Sequence, residues 1–486
     1  MTADLGDSVR RAVIWRSGSQ IFSQFVSWTA TLLVIRILDP SDYGLFAMAE
    51  VVLVFLMFLN GYGFAGSLVK EKEVGKQQLR QAFGMLLLVN GALAATQFTL
   101  APVAAEYYRQ PLVADLLRTQ ALIFLATPFI ALPEVMLMRQ LNFRPQAVVN
   151  VCATLVSASV ALGCALAGFG VWTLIYAPVA LFWSRAIGLV IVTRTIVWPS
   201  FRFAGARGMF NFGIAMILLQ LCWIVVTKAD AFLAARFVSP HELGLYTEGL
   251  FLTALVATKF VPPLNDVAFP AYARMQDDKE LLSASFLKAV RLILLLACPL
   301  YFGLSAVAAD AIAVVLGEKW LEMAGLVSVL ALAMPALTLY ILFGPALNAI
   351  GRVDINTRAA IFGAILMPIA YFVGLQWGVT GLTYAWLLAF PLLPLIMFLQ
   401  ARGVLGITGR QFLGAIAPGL FSSAAMALAV VAIGQQLGGF PAWQRLLAEV
   451  AAGGALYFGI LLLVSRDTLR ELVAVARRRG PAASPA

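Results

Sequence analysis

Charged side chains interrupt long apolar runs at a few positions, and those positions are where chemistry would have to happen. Arg16 heads a stripe with Ser19, Gln20, Ser23 and Ser27, which at about 100° per residue share one helical face. Glu248, Lys259 and Asp266 follow one another at steps that bring all three to within about 20° of one face. Lys228 and Asp230 stand two apart, so they diverge on a helix and do not pair with each other. Glu50 stands alone in its run. A charge at the centre of a bilayer costs about 2.5–3.5 kcal/mol on insertion scales, so each of these groups requires a partner or a water-filled cavity. A guanidinium matches phosphate bidentately, and an ammonium serves as a point charge. Arg16, Gln20, Ser23, Lys228 and Lys259 are therefore candidate contacts for an anionic group such as a phosphate. Asp230, Glu248, Asp266 and Glu50 are candidate sites for a proton or a cation. The plainer alternatives are small polar residues packing helices together, Arg16 snorkelling to the membrane surface, and an internal Lys259 pair with Asp266 or Glu248 that neutralises both partners.

The elements that must hold these groups follow from composition. Of the 486 residues 62% are hydrophobic and 12% charged. A soluble chain of this size would have too little charge to cover its surface. A hydrocarbon core about 30 Å thick takes roughly 20 apolar residues per helix, and such runs recur along the whole chain. The sequence therefore reads as an all-α, multi-pass membrane protein; the alternating ten-residue segments of a β-barrel do not appear. The first apolar run, residues 12–38, is too long for a signal-peptide core and is expected to stay as a span. Cys152, Cys164, Cys222 and Cys298 all lie in apolar runs and read as structural thiols. With His241 as the sole histidine and no metal-ligand spacing, neither a metal nor any other cofactor is expected.

Glycine, proline and charge clusters punctuate about fourteen spans, near 12–37, 43–69, 81–105, 113–137, 146–167, 171–194, 208–237, 243–270, 286–307, 322–349, 357–375, 379–401, 411–435 and 444–465. With the N-terminus inside, 24 of the 34 Lys and Arg residues fall in cytoplasmic segments. Six fall outside: Arg36, Arg109, Arg118, Arg236, Lys319 and Arg445. That asymmetry supports two cytoplasmic termini. It also accounts for the net charge of +10 without nucleic acid. The tail after 465 is expected to be disordered and to lie near anionic headgroups.

The stretch RILDPSDYGLF at 36–46 returns as RFVSPHELGLY at 236–246. Asp39 suits an N-cap, Pro40 the first helical position and Asp42 the third; Ser239, Pro240 and Glu242 take the same roles. Each copy restarts a helix after a tight external turn. The repeat spacing covers six spans, an even number, so both copies enter the membrane in the same direction, as a parallel repeat. The expected organisation is a six-helix lobe at 1–195, a cytoplasmic linker at 196–207, a second six-helix lobe at 208–402, two further helices at 403–465 and a basic tail at 466–486. Pro262 and Pro263 interrupt the backbone ladder of span 8, and Gly61 and Gly63 stand at the corresponding place in span 2. Weakened helices at matching positions of two repeats point to a transport site, with these residues as breaks or hinges. Arg36 and Arg236 stand once per lobe at the external mouth, either as phosphate contacts or as interface anchors.

RILDPSDYGLFAMAE (36–50), MRQLNFRPQAVVN (138–150), GFGVWTLIYAPVA (168–180), FNFGIAMI (210–217) and FPAYARMQDDKE (269–280) occur in an order that resembles the polysaccharide (Wzx-type) flippases of the multidrug/oligosaccharidyl-lipid/polysaccharide exporter superfamily. The resemblance implies two six-helix lobes around a central cavity and two added C-terminal helices. It also implies movement of an undecaprenyl-pyrophosphate-linked oligosaccharide from the inner to the outer leaflet of a bacterial inner membrane. The implied partners are that lipid-linked cargo, membrane lipids and possible polysaccharide polymerase and chain-length machinery.

Two rival readings stay open at this stage. A multidrug or cation antiporter of the same superfamily would want a predominantly acidic cavity, whereas basic and acidic intramembrane groups are balanced here. A membrane glycosyltransferase or polymerase would use an acidic pair such as Asp39 and Asp42. However, the second copy replaces Asp39 by Ser239, and no external loop exceeds about 20 residues, which leaves little room for a catalytic domain.

Overall fold

The computed structural model describes residues 2–60, 75–140, 143–194, 197–202 and 207–464, with side chains described outside 2–14, 16, 17, 207–220 and 464. Every regular element among them is helical. Ten helical stretches there are long and apolar enough to cross a membrane, and the protein is a multi-pass membrane protein. Expected spans 11 and 12 fall together in one such stretch, Val353–Leu405. Spans 1, 7 and 8 lie outside the ten but are helical throughout their described residues.

The chain divides into two compact units, Met1–Thr247 and Glu248–Ala486. In the first, α1 (Thr2–Ile37) turns into α2 (Pro40–Met57), followed by α3 (Lys76–Tyr108). Three short helices, α4 (Leu112–Gln120), α5 (Leu122–Ala126) and α6 (Pro128–Arg139), run on as one crossing. Next come α7 (Phe143–Leu166), α8 (Trp172–Thr193) and α9 (Arg207–Phe237), and α10 (Pro240–Leu255) begins in this unit. Helix α1 packs along α7, α7 along α8, and α2 along α9. The Arg144 guanidinium lies 5.3 Å from the centroid of the Trp15 ring, tying α7 to the start of α1. The segment 197–202 is strapped to the head of α3: Ser200 N donates to Arg80 O (2.8 Å), and Gln81 Nε2 donates to Arg202 O (2.7 Å).

The second unit continues α10 through a π-helical turn, Val256–Phe260, into α11 (Val261–Arg274). It adds α12 (Lys279–Val315), α13 (Ala324–Ala349), α14 (Val353–Gly374), α15 (Gly378–Leu388), α16 (Leu392–Leu405), α17 (Gly409–Gln436) and α18 (Ala442–Val464). Its core is apolar and aromatic: Phe286, Phe343, Phe398 and Phe412 pack in one cluster between α12, α13, α16 and α17. Gly374 and Gly381 let α14 and α15 touch backbone to backbone, since a Cβ on either would come within 2.8 Å of the other's carbonyl carbon. Small residues at such crossings matter in lipid, where close packing takes over from the hydrophobic effect as the force joining helices.

Candidate functional site

The two copies of the repeated turn meet in the first unit. Asp39 N donates to Asp42 Oδ2 (3.2 Å) in the first copy. Ser239 N and Oγ donate to Glu242 Oε2 (3.0 and 2.8 Å) in the second, and Glu242 N returns a bond to Ser239 Oγ (3.2 Å). Each copy thus satisfies free amides at a helix start, as its spacing predicts. The restarted helices cross at their glycines. A Cβ on Gly44 would come within 2.6 Å of the Pro240 carbonyl carbon, and one on Gly244 within 2.7 Å of the Pro40 carbonyl carbon. Gly44 meets Pro240 and Gly244 meets Pro40, so the contact is reciprocal, as across a local two-fold.

Below this crossing lies an ion pair. Lys228 Nζ on α9 donates to Glu50 Oε2 on α2 at 3.0 Å. Glu50 lies ten residues into α2 and Lys228 nine residues before the end of α9. At 1.5 Å per residue both stand about 14–15 Å from the turn, near the middle of a core about 30 Å thick. Their side chains keep 32% and 35% exposure, so the pair neutralises both groups without sealing them off. Asp230 faces elsewhere, as the two-residue offset predicts. It is 1% exposed and accepts from the hydroxyl of fully buried Tyr246 at 2.6 Å and from Ala231 N at 2.7 Å. Lys228 and Asp230, neighbours in sequence, therefore serve different contacts: one with α2, the other with α10.

The remaining sequence candidates fall at other levels. Arg236 donates from Nη1 to Tyr107 O (2.7 Å), and its guanidinium lies 4.9 Å from the centre of that ring. It thereby supplies positive charge to the C-terminal end of α3, where the helix dipole favours it. Arg36 is exposed at the end of α1. Gln20 is exposed, and half-buried Ser23 has an Oγ with no hydrogen-bond partner among the described residues. The Arg16 side chain, Gly61 and Gly63 lie outside the described residues. Glu248 is half-buried, whereas Lys259 and Asp266 are exposed, and Lys259 makes no ion pair with a described residue. Counted along the helix from Pro240, Lys259 is about 29 Å away, at the far boundary of the core rather than its centre. Pro262 and Pro263 do not stop the helix. The ladder widens instead into the π turn just before them, and Lys259 rides on that turn. Proline removes an N–H and crowds the preceding turn, and a π turn is one way a helix absorbs that.

Three further acidic residues lie among packed helices, toward the ends of their apolar runs. Glu134 Oε1 accepts from Arg185 Nη2 at 2.6 Å, joining α6 to α8. Asp310 pairs with Arg445, joining α12 to α18, and Glu449, only 5% exposed, lies one turn beyond Arg445. Among the described residues no group of His, Cys, Asp and Glu is arranged to hold a metal.

Comparison with solved structures agrees with this architecture. The lipid II flippase MurJ, in an inward closed conformation, aligns with a TM-score of 0.73 over 94% of this chain and all of its own, at 13% identity. A multidrug resistance MATE family transporter in an inward-facing conformation aligns with a TM-score of 0.61 over 81% of this chain and 98% of its own, also at 13% identity. These likenesses show the fold: a helical, two-lobed membrane architecture. In sequence, the chain is 26% identical to the succinoglycan biosynthesis transport protein ExoT of Rhizobium meliloti (strain 1021), over 99% of this chain and 98% of the relative. It is 24% identical to the lipopolysaccharide biosynthesis protein WzxC of Escherichia coli (strain K12), over 89% of each. Residues 33–325, more than half of the chain, match the polysaccharide biosynthesis protein family, and the chain belongs to that family.

Proposed function

We propose that this protein carries a lipid-linked oligosaccharide from the cytoplasmic to the outer leaflet of a bacterial inner membrane by alternating access, for surface polysaccharide synthesis. The observation that carries the reading is the end-to-end similarity to ExoT, named as a succinoglycan transport protein. In this reading the lobes are 1–195 and 208–402, joined by the 196–207 linker, with helices at 403–465 added and both termini cytoplasmic. The Gly44–Gly244 crossing then closes the external end. Arg16 and Lys259 stand near the inner boundary, Lys228 near the middle, and Arg36 and Arg236 at the external mouth, with Gln20 and Ser23 on the inward half of α1.

The cargo's diphosphate is drawn to this ladder of cations, while its prenyl tail stays in lipid and is never buried in protein. At mid-depth the diphosphate competes with Glu50 for Lys228. Glu50, released from Lys228 by the cargo, is then open to a coupling ion, as are the other acidic candidates Asp230, Glu248 and Asp266. The protein acts here as a transporter: Asp42, one of the candidate acidic pair, is engaged in the helix cap, its Oδ2 accepting from Asp39 N. The test is complementation of a strain lacking its own flippase. Lys228→Ala at normal protein level is expected to lower surface polysaccharide at least tenfold. Undiminished export would remove Lys228 from the cargo path.

A further inference from the structure

A second charged feature lies in the second unit. A cavity of about 720 Å³ opens between the first turns of α12 and the start of α17. Lys279, Lys288 and Arg291 line it, with Glu280 as the one carboxylate, so its lining carries a net positive charge. Ser283 and Gln411 add polar groups, and Ala284 and Leu287 an apolar wall. Two of these groups are left with hydrogen-bonding capacity to spend. Arg291 Nε is buried without a hydrogen-bond partner among the described residues. Gln411 gives its oxygen to Thr408 N and Oγ1 (2.9 and 2.8 Å) in the α17 cap, so the cavity is offered its NH₂ donor.

The depth of the cavity narrows the ligand. Arg291 is the last charge on α12 before 18 uncharged residues, Leu292 to Ala309. At 1.5 Å per residue that run spans about 27 Å, close to the hydrocarbon thickness of a bilayer. On α17 the corresponding last charge is Arg410, beside the cavity-lining Gln411. Both helices therefore change from charged to apolar at the level of the cavity, which is the level of lipid phosphates. Three cations near an anionic surface attract such groups at about fivefold in affinity each, and arginine adds planar donors suited to phosphate oxygens.

We propose that this cavity is a binding site for the headgroup of an anionic phospholipid, with the phosphate between Arg291 and Lys279 and the glycerol end against Ala284 and Leu287. It lies in the leaflet that the distribution of Lys and Arg assigns to the cytoplasmic side. The site shares no residue with the proposed cargo contacts and needs no cargo.

The test uses the full-length protein, purified in neutral detergent and mixed with equal amounts of phosphatidylglycerol and phosphatidylcholine. Bound lipid is read by native mass spectrometry. The wild-type protein is expected to retain phosphatidylglycerol preferentially. Lys279→Gln, an exposed change with little to disturb, is expected to lower that retention about fivefold, and Lys279→Gln with Arg291→Gln about 25-fold. Arg109→Gln with Arg118→Gln, far along the chain, is expected to leave it unchanged. Equal retention by wild type and both cavity variants would overturn the site. Displacement of the lipid by inorganic pyrophosphate at equal concentration would overturn the lipid assignment in favour of a soluble phosphate ligand. Because no cargo is present, either failure leaves the transport reading untouched, and loss of export in cells does not bear on lipid retention.

Discussion

Gly44 lies against the carbonyl of Pro240, and Gly244 against the carbonyl of Pro40. Two copies of one short phrase, two hundred residues apart, are in reciprocal backbone contact, and neither tolerates a side chain at its glycine. In the alternating-access reading this crossing must part whenever the external side opens. Gly44→Ala pushes a methyl group into backbone that has little room to yield, at about 1–3 kcal/mol for overpacking. The expected outcome is a crossing that stays apart. In a cysteine-free background, Leu243→Cys, at a position fully buried here, should resist a membrane-impermeant maleimide added outside. Adding Gly44→Ala should make it react several-fold faster; equal labelling rates would speak against the crossing as the external closure.

The Lys228–Glu50 pair separates structural from transport roles. If it only neutralises charge, reversing it with Lys228→Glu and Glu50→Lys should restore both stability and export. If Lys228 also receives phosphate, the reversed pair should recover thermal stability in detergent while export stays low, because the cation has moved to α2. Glu50→Gln is expected to slow export and to weaken its response to the coupling-ion gradient, since the proposed ion site is gone. An unchanged response would remove Glu50 from coupling.

Asp230 and Tyr246 make a buried contact of a different kind. A hydrogen bond contributes about 0.5–1.5 kcal/mol, and a buried acceptor left without its donor costs about 1–3 kcal/mol. Tyr246→Phe should therefore lower the apparent melting temperature measurably, with export falling only as folded protein falls. A specific loss of export at full stability would instead give Asp230 a direct part in transport.

Arg185 and Glu134 are the internal control. Their pair is less exposed than Lys228–Glu50, at 25% and 14%, and joins two helices of the first unit. Arg185→Ala leaves a carboxylate unpaired and should destabilise by about 3 kcal/mol. Protein level should drop, while export per molecule stays near wild type, as a comparison of surface polysaccharide with immunoblotted protein would show.

Much of the architecture was legible because its causes are local. Apolar run length is enough to place the helices, and Ser-x-x-Glu at 239–242 specifies a cap from side-chain chemistry alone. The offset between Lys228 and Asp230 follows from helical geometry, so their divergence could be read directly. Which partner each would find could not: Glu50 is 178 residues from Lys228, and nothing in either local run encodes that approach. Pro262 and Pro263 announced an interruption, but whether a helix answers with a break or a π turn depends on what packs around it. Lys259 illustrates the limit of reading by face alone: it shares a helical face with Asp266, yet makes no pair with it and lies near the boundary of the core.

Following the cargo itself separates transport from every other role. Cells depleted of this protein should accumulate, within minutes to hours, a prenyl-diphosphate-linked oligosaccharide. Extraction and mass analysis would give its composition, and a membrane-impermeant glycan-modifying enzyme would report its leaflet. A complete repeat unit is expected to be protected on the cytoplasmic side, released to the outside when wild-type protein is restored and not when Lys228→Ala is supplied. Accumulation of the same lipid already exposed on the outside, or no accumulation at all, would contradict transport.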